Sequence, residues 1–243
     1  MSISFHNPFF DELANYPIRF STPVFFGDSP YSSFSVPLNN GTGTLLKLRN
    51  KYLGVTCEHV LRAYRQIRRA QTVFQFGAVI LDPNEHLISE SREHDVAVLD
   101  LSSFVGKESG LCPANFVEPR TWPPRSVSCK DVVGLCGFPG VWREQLNLGH
   151  LRFYSFSSGA AEVYSVGQHH LMTRVDIDKC KVEVKEGLVL GSLGGLSGGP
   201  VFAWRKGAVL TSELVGFVHE YNEQYDLMRV TAANVIREDA TLA

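Results

Sequence analysis

The chain is short of several things, and each shortage removes a class of function. It carries no excess of either charge: 23 Lys and Arg stand against 25 Asp and Glu, a formal net charge of −2. Composition therefore gives no reason to expect a nucleic-acid or membrane partner. The first residues, Met1 to Pro8, have neither the basic nor the apolar stretch of a secretory leader. The longest uncharged run spans 18 residues, Gly187 to Trp204, but holds six glycines and Pro200. Such a run suits tight turns, so no transmembrane segment is expected. Only five cysteines occur (57, 112, 129, 136 and 180), and no two form a C-x-x-C pair. An odd, scattered set without a leader argues against a disulfide framework and a structural zinc site. It points to a reducing, cytoplasmic setting.

What is present reads as β structure. Apolar residues make up 44% of the chain, enough for a real core. About a dozen short runs rich in Val, Phe, Tyr and Thr, from Pro23–Phe26 to Val215–His219, alternate with turn signals such as Asn40-Gly41 and Arg49-Asn50. Strands this short and numerous fit antiparallel barrels or a sandwich rather than βαβ units. Two helices are expected: Leu61–Gln71, which carries Arg62, Arg65, Arg68 and Arg69, and Thr231–Arg237 with Thr231 as N-cap. Four of the 12 prolines (113, 119, 123 and 124) fall in one stretch. They divide the chain into an N-terminal arm 1–17, a first half 18–112, a Pro-rich linker 113–126 and a second half 127–243.

Three segments carry chemistry. The first is Gly195-Leu196-Ser197-Gly198-Gly199-Pro200. A serine hydroxyl is a poor nucleophile without an adjacent base and donors for the developing oxyanion, and flanking glycines let backbone N–H groups turn into one small cavity. The plain alternative is a Gly-rich loop between strands. The second is Val55-Thr56-Cys57-Glu58-His59-Val60, which puts a histidine at a strand end, held well enough to act as a general base. A lone histidine is more often structural. The third, His94-Asp95-Val96-Ala97-Val98-Leu99, opens an apolar strand with an aspartate that could orient an imidazole; acidic residues also cap strands for no catalytic reason. Together the three are stronger. They run in the order His59, Asp95, Ser197, and among unrelated Ser-His-Asp scaffolds that order belongs to the chymotrypsin fold.

On these residues the sequence resembles trypsin-like serine peptidases. Thr56-x-x-His59 is similar to the family's T-A-A-H, Asp95–Leu99 to D-I-A-V-L and Gly195–Pro200 to G-D-S-G-G-P. Gly137-Phe138-Pro139-Gly140 is similar to the G-Y-P-G of bacterial, disulfide-free members. The resemblance spans about residues 20–236 and implies two six-stranded antiparallel β-barrels with an active site between them, closed by a short C-terminal helix. It implies His59 as general base, Asp95 as its orienting partner, Ser197 as nucleophile, and the N–H groups of Gly195 and Ser197 as oxyanion hole. It also places Gly191 and Ser192 at the primary pocket, opposite His219, Glu220 and Tyr221. Gly191 has no charge, so no Arg or Lys preference is expected from it. Tyr221 would narrow the pocket, or Glu220 would turn inward and restore a cation preference.

Three departures resemble the intracellular, non-zymogen branch. Leu196 replaces the family's Asp before the nucleophile, Cys57 has no clear disulfide partner, and no Ile-Val-Gly-Gly activation sequence occurs. The expectation is a serine endopeptidase that needs no N-terminal cleavage, no cofactor and no metal. It acts on a protein or peptide substrate and leaves room for a regulatory protein partner. The rivals are weaker. An α/β-hydrolase elbow at Gly195-x-Ser197-x-Gly199 needs an acid and a histidine downstream, where only His219 remains. A non-catalytic trypsin-like binding module has no chemical reason to keep all three side chains. The Arg62–Arg69 cluster reads as a solvated helix face before it reads as a nucleic-acid patch. His86, His94, His169 and His170 lack the spacing of a metal site.

Overall fold

The computed structural model describes residues 8–28, 39–106, 110–147, 150–176, 180–182 and 193–243. In the first half, β1 (Ser21–Asp28), β2 (Asn39–Leu48), β3 (Lys51–Thr56), β4 (Thr72–Phe76), β5 (Val79–Leu81), β6 (Leu87–Ser91) and β7 (Val96–Asp100) form one antiparallel sheet. Their order is β5-β4-β1-β2-β3-β7-β6. Side chains from one face, including Val24, Phe26, Leu45, Phe74, Phe76, Ala97 and Leu99, make its core.

The second half contains β8 (Val132–Gly137), β9 (Arg143–Asn147), β10 (His150–Phe153), β11 (Phe156–Val166), β12 (His170–Arg174), β13 (Lys181–Val182), β14 (Pro200–Arg205), β15 (Thr211–Asn222) and β16 (Leu227–Ala232). Strands β9 and β10 pair only with each other. The rest follow the order β12-β16-β15-β14-β8-β11-β13, and a further β12–β11 pairing closes six of them into a barrel. Val133, Leu135, Val163, Val201 and Val230 fill it. Closure removes the exposed edges that an open sheet would leave. The fold is therefore nearly all-β and of the chymotrypsin-like double-barrel kind, with the second barrel closed. The first sheet has seven strands rather than the expected six, and its edges β5 and β6 are not paired to one another among the described residues.

A third core cluster ties the halves together. Leu46, Leu53, Val96 and Val98 of the first sheet pack with Phe202, Leu214 and Phe217 of the second, and with Val235 and Ile236 beyond β16. The linker joins in: Val117 pairs with Leu46 and Trp122 Nε1–H donates to the Ile236 carbonyl at 2.8 Å.

The helices differ from expectation. Residues 8–17, read as an arm, belong to α1 (Pro8–Ile18), which lies across β8, β11 and β14. Gly159 permits this approach, because a Cβ there would sit 2.8 Å from the Ala14 nitrogen. Helix α2 runs from Glu58 to Ile67, starting three residues earlier than the Arg-rich pattern suggested, with Val60, Leu61 and Tyr64 buried on one face. The helix expected over 231–237 is absent. Thr231 and Ala232 instead complete β16, paired with β15 and β12, and only a single 3₁₀ turn follows at Ala233–Val235. Ladder pairing on both sides wins over the N-cap signal of Thr231, because a strand between two partners satisfies its whole backbone.

Candidate active site

Strand β3 ends at Thr56 and the chain turns at once into α2, which places His59 in the first helical turn. Helix starts leave backbone N–H groups without partners. Here the His59 N–H donates to Asp95 Oδ1 at 2.9 Å, while His59 Nδ1 meets Asp95 Oδ2 at 2.7 Å. One carboxylate thus fixes both the backbone and the ring of His59. Asp95 immediately precedes β7 and has φ +49, a left-handed conformation that non-glycine residues seldom adopt. The turn holds that conformation and delivers a buried carboxylate to the imidazole. Burial pushes the Asp95 carboxyl up, but the hydrogen bonds from His59 and the nearby imidazoles outweigh it and hold the group below the ordinary carboxylate value.

Ser197 sits on a loop bound from both halves. Gly195 has φ +106 and Gly198 φ +94, and a side chain at Gly195 would collide with Asn40 and the Phe138 carbonyl. The loop carbonyls are taken up in turn. Thr42 Oγ1 donates to Gly195 O at 2.7 Å, Thr42 N–H to Ser197 O at 2.9 Å, and Thr44 Oγ1 to Gly198 O at 2.7 Å. Gly194 O accepts from the Gly140 N–H at 2.8 Å, and Leu196 O from the Gly199 N–H at 2.9 Å. In a trans peptide the next N–H points opposite to its carbonyl. The Gly195 and Ser197 N–H groups are turned away accordingly, and neither donates to a group among the described residues. They are the two expected oxyanion donors. Leu196 is buried in the second-barrel core.

The candidate nucleophile and base share one cleft of about 450 Å³. Its walls include His59, Asp95, Ser197, His219, Glu220 and Tyr221, with Arg62, Arg92 and Glu223 further out. Ser197 Oγ donates to the His219 carbonyl at 3.1 Å, and no hydrogen bond joins it to His59. His219, expected as a pocket wall, turns its imidazole inward, with Nε2 3.3 Å from Asp95 Oδ2. Burial lowers its pKa below the ordinary histidine value, and Arg229 and His59 lower it further against the pull of Asp95 and Glu220. Tyr221 packs on the second core and its hydroxyl donates to Asp226 at 2.9 Å; Glu220 is exposed. Gly191 and Ser192 lie outside the described residues.

Donor atoms of Cys57, His59 and Asp95 lie within 4.8 Å of one another, a spacing that invites a metal reading. The chemistry disfavours it. Burial and the Asp95 charge push the Cys57 thiol well up, its S–H is directed at the Val218 carbonyl at 3.3 Å, and a metal ligand must be deprotonated. The same protonation removes Cys57 as a rival nucleophile. No two of the five cysteines are joined in a disulfide. No described helix is long and apolar enough to cross a membrane. Each arginine of the α2 cluster has an acidic neighbour: Arg62 with Glu58, Arg65 with Glu90, Arg68 with Asp82 and Arg69 with Asp28.

Sequence reasoning missed Thr42, Thr44 and the inward turn of His219. The alternation Gly41-Thr42-Gly43-Thr44 was a usable signal, since glycine inside a strand marks close approach of another backbone.

No family model matches the chain, and no curated protein matches it. Solved structures of similar shape include a serine endoprotease from Yersinia pestis, with 19% identity and a TM-score of 0.46. The match covers 90% of this chain and 61% of that one, so the chain spans less than two thirds of that protein's length. A thermostable serine protease, AL20, from an extremophilic microorganism has 15% identity and a TM-score of 0.45 over 88% of this chain and 91% of its own. The structural neighbours are thus serine proteases, and at these identities the likeness concerns the fold.

Proposed function

We propose that the protein is a serine endopeptidase in which His59, Asp95 and Ser197 form the catalytic triad. One observation carries the reading: the 2.7 Å contact between His59 Nδ1 and the buried Asp95 carboxylate, in the cleft that Ser197 also lines. In this reading His59 Nε2 takes the Ser197 proton as Oγ attacks a peptide carbonyl, and Asp95 stabilises the imidazolium that forms. The oxyanion faces the N–H groups of Gly195 and Ser197. His59 then returns the proton to the leaving amine, and water hydrolyses the acyl-enzyme. Five cysteines without a disulfide among them support a reducing, cytoplasmic setting for this activity.

Ser197 Oγ must first leave the His219 carbonyl, a rotation about one side-chain bond. A ligand N–H that takes over the His219 carbonyl would release the hydroxyl toward His59. This supports a version in which substrate or a protein partner gates the enzyme. Apo sites commonly hold such hydrogen bonds in loose or alternative form.

The test is labelling with a fluorophosphonate probe, with the adduct located by mass spectrometry, beside peptide cleavage. Wild type should label at Ser197, and Ser197→Ala should lose both labelling and turnover, the latter by at least about 10⁴-fold. A wild-type protein that neither labels nor cleaves any member of a peptide library, alone or with cell extract, would overturn the reading in favour of a non-catalytic module.

A further inference from the structure

The cleft walls differ in charge. On the first-sheet side stand Arg62, from α2, and Arg92, from the turn before Asp95. Both reach for the same carboxylate: Arg62 Nη1 lies 3.2 Å from Glu58 Oε2, and Arg92 Nε lies 3.4 Å from Glu58 Oε1. The Glu58 side chain is only 3% exposed, whereas Arg62 is 41% and Arg92 76% exposed. Glu58 Oε2 is also buried without a hydrogen-bond partner, so Arg62 meets it as an ion pair without hydrogen-bond geometry.

Two guanidinium groups against one buried carboxylate leave one positive charge at the mouth of the cleft. Each guanidinium has five N–H donors, and among the described residues neither arginine has a second acidic partner. A buried carboxylate that is incompletely bonded holds its cations tightly, because the alternative is a desolvated charge. Glu58 therefore fixes two guanidinium groups in place and lets their unused edges face solvent beside His59. The opposite wall is of the other sign: Glu220 and Glu223 line it, both are exposed, and neither has an ion-pair partner among the described residues.

We propose that Arg62 and Arg92 seat an acidic side chain of the substrate on the first-sheet side of the cleft, so that an aspartate or glutamate near the scissile bond favours binding. The ligand carboxylate completes the second half of a two-carboxylate, two-guanidinium set, in which bidentate geometry adds direction to charge. Glu220 and Glu223 repel the same side chain and so fix which way the peptide lies. The proposal rests on the endopeptidase reading for placing a peptide in the cleft, but not for the charge of its partner.

The experiment uses the full-length protein and two sets of matched peptides, one with Asp or Glu and one with Asn or Gln at each position around the cut. Cleavage by wild type gives the acidic-to-neutral ratio of kcat/KM. Binding to the Ser197→Ala protein, by fluorescence anisotropy, gives the same ratio without chemistry. We expect acidic peptides to be preferred about three- to tenfold at one position, shrinking as salt is raised. Arg62→Gln and Arg92→Gln should each bring the ratio toward one. Glu58→Gln should raise it, since removing the internal carboxylate leaves both guanidinium groups for the ligand; a merely structural cluster would not give opposite signs. Peptides that are cleaved without any acidic preference would overturn the seat and leave the peptidase reading standing. Arginine-dependent binding of acidic peptides without cleavage would keep the seat and sink the peptidase.

Discussion

His219 Nε2 lies 3.3 Å from Asp95 Oδ2, the same oxygen that His59 Nδ1 meets at 2.7 Å. One carboxylate oxygen thus faces two imidazoles: it is hydrogen-bonded to His59, while His219 meets it as a close contact without hydrogen-bond geometry. In the proposed mechanism Asp95 stabilises the His59 imidazolium, so a second ring held beside the same oxygen bears on that step.

The first prediction follows from that sharing. His219→Ala removes the second imidazole beside Asp95, leaves the carboxylate charge to His59 alone, and should favour the protonated His59. The acid limb of kcat/KM should move to higher pH by about half a unit to one unit. His219→Gln keeps a polar side chain beside Asp95 and should leave the limb near its wild-type position. A pH–rate profile of the three proteins decides it, and an unmoved limb in His219→Ala would show that the contact has no effect on His59.

The same residue makes a prediction about stability. The folded pKa of His219 is depressed, chiefly by burial, so below the ordinary histidine value near 6.5 the unfolded chain binds a proton that the folded one refuses. Stability should then fall as pH drops from about 6.5 toward the lowered folded value, where the loss levels off. Urea midpoints at neutral and mildly acidic pH should show a steeper decline for wild type than for His219→Gln. Equal slopes would mean that His219 ionises alike in both states.

How much of this was visible beforehand depends on how local each feature is. His59, Asp95 and Ser197 lie in short segments whose residue types announce strand ends and a Gly-rich turn, and the structure brings His59 and Asp95 into contact as their order suggested. His219 lines the cleft, but its inward turn depends on a side chain meeting Asp95, 124 residues earlier (219 − 95). No local pattern encodes that choice. Helix α1 was hidden for a similar reason: its sequence holds Pro17 and exposed Phe9 and Phe10, and packing on the second barrel stabilises it. The terminal helix failed because the pattern at Thr231 cannot reveal that β12 and β15 compete for the same backbone.

Leu196 supports a third prediction. A charged side chain at this position would have to enter the second-barrel core, where Leu196 is 1% exposed. Leu196→Asp should cost several kcal/mol in a denaturant titration, since an unpaired carboxylate is poorly tolerated there. With Leu196 packed into the core rather than paired to a charge, protein carrying an uncleaved N-terminal tag should label with an active-site probe as fully as untagged protein. Labelling that appears only after cleavage within residues 1–30 would show the protein to be a zymogen.

The fourth concerns α1. Tyr16 stacks edge-on against Phe20, Phe202 and Trp204, with centroids 5.2, 5.2 and 5.7 Å away, and its hydroxyl accepts from Ser212 Oγ. Tyr16→Ala should destabilise the protein by about 2–3 kcal/mol, read as a lowered thermal or urea midpoint. A loss under about 0.5 kcal/mol would mean that α1 is dispensable to the barrel, since that is the scale of ordinary surface changes.

Thr42 and Thr44 reach across from β2 to hold the Gly195–Gly198 loop. During synthesis these threonines leave the ribosome more than 150 residues before the carbonyls they bind, as the separations of 153 and 154 record. The nascent first half therefore carries His59 and Asp95 but no hydroxyl to activate, and the loop has no mould until both halves have docked. If His59, Asp95 and Ser197 form the proposed triad, a truncated or half-docked polypeptide lacks either Ser197 or the loop conformation that presents it.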